Sequence, residues 1–196
     1  MTDTRKARVT ASPAEQESAI LTAASAEFTH VGVRQANMDA IAKSSGVSRS
    51  TLYRRFPSKD NLLIALASRT FERGMVELEA AITGLSPRDA VVEAFASGAA
   101  MIENDPLLHR MVIDDAEVRG LTAGMSGLFI NMVTDRVANS LRAAGATMPE
   151  PDLTYAVELH VRLVISFLEI PPTDESRRTP EAVRDFAATF LAPMVY

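Results

Sequence analysis

With 196 residues and 47% hydrophobic content, the chain can form one large domain or two small ones around a substantial core. It has no cysteine, which excludes disulfides, redox thiols and thiolate-ligated metals, and no run of about 20 uncharged apolar residues to span a membrane. The polar opening MTDTRKARVT lacks the apolar stretch of a secretory signal, and with a net charge of −5 the expectation is a soluble, cytoplasmic protein.

The first eleven residues carry Arg5, Lys6 and Arg8 and read either as an arm that orders on DNA or as a plain disordered tail. Ser12-Pro13-Ala14-Glu15 is a capping box with proline at the first helical position. The helix it opens places Ile20, Leu21, Ala24 and Phe28 on one face and ends near Gly32. Asn37 can cap a second helix with Met38, Ile41 and Ala42 inward. Gly46 then supplies a turn, Val47 an apolar plug and Ser48 a new cap. The third helix exposes Arg49, Ser50, Arg54 and Arg55 and buries Leu52 and Phe56. Two short helices joined by a glycine turn, the second rich in hydrogen-bond donors, have the layout of a helix-turn-helix.

Ser58 caps a long helix carrying Leu62, Leu63, Leu66, Ala67, Thr70 and Phe71 as far as Ile82, a connecting rod from the motif into the rest of the chain. Gly84 and Ser86-Pro87 break the pattern, and Pro87 to Asn104 forms the next helix around Val91, Phe95 and Ile102. Asp105-Pro106 opens a short helix with Leu107, Leu108, Met111 and Val112. Past Gly120, Gly124 and Gly127, a helix is clear from about Ser126 to Ala144, with Phe129, Met132, Val133, Val137 and Leu141 on one side. Gly145 and Pro149-Glu150-Pro151 separate it from Leu153 to Ile170, which is apolar all round and therefore needs cover all round. Glu158 and Arg162 in that helix are spaced for an ion pair. A last helix from Pro180 to Leu191 carries the stripe Val183, Phe186, Ala187, Phe190 and Leu191. The fold expected is all-α, about nine helices in two domains: residues 1–58, an arm and three-helix helix-turn-helix domain, and residues 59–196, a larger helical domain.

The charge distribution fits this division. Residues 1–60 hold nine Lys/Arg against six Asp/Glu, and the remainder eleven against nineteen, so a +3 head precedes a −8 body. Such a head would approach nucleic acid while the body discourages contact elsewhere, although chance asymmetry of solvated faces gives the same numbers.

The run Ile41-Ala42, Gly46-Val47-Ser48, Thr51-Leu52-Tyr53, Phe56, Ser58-Lys59 and Leu62-Leu63 resembles the DNA-binding signature of TetR/AcrR-type transcriptional regulators, over roughly Glu15 to Ala67. The physics of a recognition helix makes Arg49 and Ser50, in its exposed first turn, the candidates for base contact, with Arg49 able to grip guanine O6 and N7. Thr51 offers a hydroxyl to phosphate and a methyl to thymine; Arg54 and Arg55 would hold the backbone, and Lys59 would meet a phosphate at a helix start. Asn37 and Ser48 complete the DNA-binding set as caps of the two motif helices. The resemblance implies that Tyr53 hydrogen-bonds a phosphate. Where the family most often has Thr, this chain has Asn37, which can cap equally well. The position of Arg49 varies across the family, so no operator sequence carries over.

The resemblance also implies a homodimer joined by its last two long helices, with Val157, Val161, Val164, Leu168, Phe186 and Phe190 as interface residues. Excess apolar surface on those helices argues the same, the alternative being an intramolecular core. An unknown small-molecule effector would enter a cavity lined by Met75, Phe95, Met101, Met111, Phe129, Met132 and Val133, although Met and Phe at helical spacing also read as plain core. Asp114, Asp115 and Glu117 would face a cationic ligand or simply end a helix in solvent. No enzyme is expected: His30, His109 and His160 form no metal-binding pair, and no nucleophile elbow, P-loop or dinucleotide fingerprint appears. No cofactor is expected. The competing reading is a helical dimer that binds a protein partner and keeps a non-functional DNA-binding head.

Overall fold

The computed structural model describes residues 12–109 and 116–196. Among them lie nine α-helices and no strand, the all-α architecture expected from the helical periodicity. The arm residues Arg5, Lys6 and Arg8, the candidates Met111, Val112, Asp114 and Asp115, and the side chain of Glu117 lie outside the described residues. The chain divides into two compact units between Ser68 and Arg69. The division comes later than residue 58 because the first turns of the fourth helix, with Leu62, Leu63 and Leu66 all buried, group with the helices before them.

In the first unit, α1 (Pro13–Gln35) starts at a complete capping box. The Ser12 N–H donates to Glu15 Oε2 (2.6 Å) and the Glu15 N–H to Ser12 Oγ (3.2 Å). Both orphan donors are thus satisfied reciprocally, and these bonds hold the Glu15 carboxyl below the usual carboxylate range. Ile20, Leu21, Ala24 and Phe28 are buried as their spacing predicts. Gly32 takes φ 80° and kinks the end of the helix, and a last turn continues to Gln35. Next, α2 (Met38–Ser44) and α3 (Arg49–Arg55) follow, and α4 (Lys59–Ile82) begins at Ser58, whose Oγ accepts from the Asn61 N–H.

The second unit contains the remainder of α4, then α5 (Pro87–Asn104), α6 (Pro106–His109), α7 (Ala116–Ala143), α8 (Glu150–Glu169) and α9 (Pro180–Phe186). Helix α5 packs against α6, α7, α8 and α9, and α7 lies along α8. The core joins Met75, Leu78, Val91, Phe95, Leu141, Leu153 and Val157. Charged ties reinforce it: Arg136 on α7 forks onto Glu79 (2.8 and 2.9 Å) and reaches Glu72 (2.6 Å) on α4, and Arg184 on α9 forks onto Glu93 of α5 (3.0 and 3.1 Å). Hydrogen bonds from these guanidinium groups hold the Glu79 and Glu93 carboxyls below their ordinary range. Arg162 and Glu158 pair at 2.6 Å, as their spacing expects.

Two boundaries differ from the sequence reading, and one that it leaves open is set. Helix α7, whose start the glycines at 120, 124 and 127 leave unplaced, begins at Ala116, because isolated glycines cost about 1 kcal/mol each and long helices absorb that. Helix α8 starts at Glu150, with Pro151 in the first turn, where a missing N–H loses nothing. The last helix is regular only to Phe186; Ala187–Leu191 form a π turn and Ala192–Met194 a 3-10 turn. Pro193 explains the change, since its ring clashes with a carbonyl one turn back in an α-helix and it supplies no N–H.

Candidate nucleic-acid interface and apolar cavity

The corner between α2 and α3 is built by hydrogen bonds the sequence specifies locally. Asn37 Oδ1 accepts from the Asp39 N–H (2.8 Å), and the Asn37 N–H donates to Glu27 Oε1 (3.1 Å), which ties the start of α2 to α1. At the other end of α2, the Gly46 N–H donates to the Lys43 carbonyl (3.3 Å) and the Val47 N–H to the Ala42 carbonyl (3.2 Å). That pairing is a Schellman motif, and it needs the left-handed φ of 70° that Gly46 adopts without penalty. Ser48 Oγ then accepts from the Thr51 N–H (3.1 Å) and caps α3, with the hydroxyls of Ser50 and Thr51 both 2.9 Å from it. Ile41, Leu52 and Phe56 are buried beneath the corner.

This scaffold leaves Ser48, Arg49, Ser50, Tyr53 and Arg54 exposed on α3, and Thr51 half-buried. Arg49 has a partner within the motif: its Nε lies 2.7 Å from Asp39 Oδ1 in the first turn of α2. Arg55 folds back onto α1, 3.4 Å from Glu17 Oε2 and 3.5 Å from Gln16 Oε1, and its side chain is 19% exposed. Lys59 Nζ donates to the carbonyl of Arg34 at 2.7 Å, satisfying one of the carbonyls at the end of α1. Both cations brace the three-helix unit in this state. Sequence reasoning missed Asp39; an acidic residue at the start of α2 is the signal that could have found it.

In the second unit, Met75, Phe95, Met101, Phe129 and Val133 come together around one apolar cavity of about 60 Å³. Met132 does not join them and is 49% exposed. The series Phe129, Val133, Val137 and Leu141 takes the inner face of α7, and Met132 lies about 100° around the helix from Val133. From α8 the cavity receives Val157, Val161 and Val164. Val157 and Val164 are buried within the chain, a correction to their assignment to a partner-facing surface. Because α8 is apolar on every side, its sequence did not fix which side turns inward; Tyr155 and Leu159 are the large apolar residues it turns out. Leu168 and Phe186 are half-buried, and Phe190 is exposed. Sequence reasoning also missed His160, a buried lining residue on α8 whose burial lowers its pKa to about 4.

Family models match stretches of both units. The model described as "Bacterial regulatory proteins, tetR family" matches residues 20–66, and that for the "Bacterial Tetracyclin repressor, C-terminal domain" matches residues 87–189. The chain belongs to the TetR family. This TetR-family chain is 30% identical over 182 residues to the helix-turn-helix transcriptional regulator Rv1255c of Mycobacterium tuberculosis, covering 90% of this chain and 83% of that one. Two solved structures share the fold. The TetR family repressor AlkX of a Dietzia species, implicated in biodegradation of n-alkanes, is 21% identical with a TM-score of 0.64, covering 92% of this chain and 97% of that one. The Bacillus subtilis regulator FadR, solved with stearoyl-CoA, is 15% identical with a TM-score of 0.63, covering 91% and 99%. As a TetR-family member the protein is a DNA-binding transcriptional regulator, not an enzyme. No helix among the described residues is long and apolar enough to cross a membrane.

Proposed function

We propose that the protein is a homodimeric repressor that binds a palindromic operator and leaves it when a small molecule fills the second unit's cavity. The observation that carries this reading is the exposed first turn of α3, where Arg49 and Ser50 stand clear of the core on a corner fixed by Asn37, Gly46 and Ser48. Arg49 would read guanine; Ser48, Thr51, Tyr53 and Arg54 would hold phosphates, joined by Arg55 and Lys59 if they exchange their present partners for DNA.

Self-association is supported by Tyr155, Leu159, Ile170 and Phe190, large apolar side chains left exposed on α8 and the final turns. A two-fold dimer would present two recognition helices to half-sites about 34–36 Å apart. An effector can shift that arrangement only through a higher affinity for the non-binding state. FadR accommodates stearoyl-CoA; the cavity here, about 60 Å³ as it stands, must enlarge for any effector, and a compact one asks the least enlargement.

Selection of bound duplexes from a random DNA pool at physiological salt tests the reading. Enrichment of a palindrome is the expected result. A folded, dimeric protein that enriches no sequence would instead favour a protein-binding role with an inactive head.

A further inference from the structure

The apolar cavity contains one polar side chain among its described lining residues, and packing gives that side chain no role. His160 is 7% exposed, and its Nε2 is buried without a hydrogen-bond partner. Buried polar groups are almost always paired, because an unpaired one forfeits its hydration and receives nothing in return. Leucine at this position would fill similar space without that loss. A bound water is a poor substitute, since a water needs two to four polar partners and the described lining offers His160 alone.

The charge state narrows what could complete the site. Burial pushes the imidazole pKa down to about 4, so near neutral pH His160 presents a lone pair and an N–H but no positive charge. Neither Arg nor Lys lines the cavity among the described residues, and on the same helix Arg162 and Glu158 pair with each other. An anion would therefore be buried without a counter-charge. Cations are absent but adaptable walls are not: the thioethers of Met75 and Met101 can move to enlarge the space.

We propose that the cavity takes a compact, neutral, largely apolar molecule bearing a single hydroxyl or carbonyl, and that this group exchanges a hydrogen bond with His160 Nε2. This rests on the effector reading above and names the ligand class. A neighbouring groove shares Phe95 and Val164 with the cavity and carries Arg177 and Arg178, so an anionic ligand is the rival. In that groove Arg178 Nε is already committed to the Pro172 carbonyl (2.6 Å), and Glu103 stands among the lining residues.

Three probes of one shape separate the cases: toluene, p-cresol and 4-methylbenzoate, titrated calorimetrically into the full chain. p-Cresol should bind at least about tenfold more tightly than toluene, with 4-methylbenzoate the weakest. His160→Leu should bring p-cresol within about twofold of toluene, while His160→Gln should keep a preference through its carboxamide. A thermal melt confirming that His160→Leu remains folded accompanies the titration. Equal binding of p-cresol and toluene, a preference for 4-methylbenzoate, a preference that survives His160→Leu, or no binding of any probe would overturn the inference. Adding each probe to the operator complex tests the parent reading separately. p-Cresol bound through His160 without loss of DNA would uphold the ligand class and sink the effector role, and release of DNA by a compound indifferent to His160 would do the reverse.

Discussion

The guanidinium of Arg49 is held from below by Asp39: Nε of the one lies 2.7 Å from Oδ1 of the other, across the turn that joins α2 to α3. The contact is an ion pair made by a largely exposed side chain; it would bias the arginine's orientation and leave its two terminal nitrogens for a base edge. It also sets a negative charge beside the surface proposed to face DNA. Arg49→Ala should cost about 1–3 kcal/mol of specific binding and relax the preference at one base position. Asp39→Ala should lower the ratio of specific to non-specific affinity, because orientation is lost while repulsion of any phosphate is relieved. Competition between the enriched site and a scrambled duplex measures both; an unchanged ratio in Asp39→Ala would deny the aspartate its positioning role.

Lys59 tests whether the motif rearranges on DNA. Its ammonium now bonds the Arg34 carbonyl. Lys59→Ala should weaken binding to all duplexes alike and reduce the logarithmic salt slope by about one. A slope equal to that of the unmodified protein would mean that the lysine stays on α1 and touches no phosphate.

His160 should make stability fall on acidification. Its pKa is about 4 in the fold against an ordinary 6.5, so above 6.5 both states are neutral and no penalty arises. Below 6.5 the unfolded chain takes up a proton that the folded chain refuses, and stability declines until the pH passes below about 4. The full loss is of the order of 3 kcal/mol. Urea unfolding at a series of pH values, compared with His160→Leu, isolates this contribution; parallel curves for the two proteins would show that His160 does not supply it.

Gly74 admits Met101. A Cβ on Gly74 would lie 2.0 Å from Met101 Sδ, so the bare backbone of α4 is the surface on which that thioether rests. Gly74→Ala should gain up to about 1 kcal/mol of helix propensity, offset by the cost of moving a flexible side chain. Met101 also lines the cavity, and its displacement should lower p-cresol affinity with little change in melting temperature. Undiminished binding would mean that Met101 moves away from the cavity.

Short-range signals made much of this architecture legible. Ser12, Asn37, Ser48 and Ser58 each accept the backbone hydrogen bond expected of a cap, and Ser86 and Thr179 do the same before the prolines that open α5 and α9, because capping depends on residues within one turn. The bounds of α5 coincide with expectation for the same reason. What escaped depended on distant geometry or on small energy differences. The all-round apolarity of α8 carried no phase, so the inward turn of Val157 and Val164 could not be read from it. A histidine in that helix has no local mark of burial. The pairing of Asp39 with Arg49, and of Arg55 with Glu17, depends on how the helices cross.

Three phenylalanine rings form a chain in the second unit. Phe95 lines the cavity, its ring centroid is 6.0 Å from that of Phe186, and Phe186 is 5.2 Å from the exposed Phe190. If a second copy covers Phe190, as proposed above, and the row of rings shifts when the cavity fills, filling the cavity and closing the dimer become linked equilibria. Reciprocity then requires each to alter the other by the same factor. The apparent affinity for a ligand would therefore drift with protein concentration across the dimerisation range, so the amount of regulator in a cell would itself tune how much signal is needed to switch it.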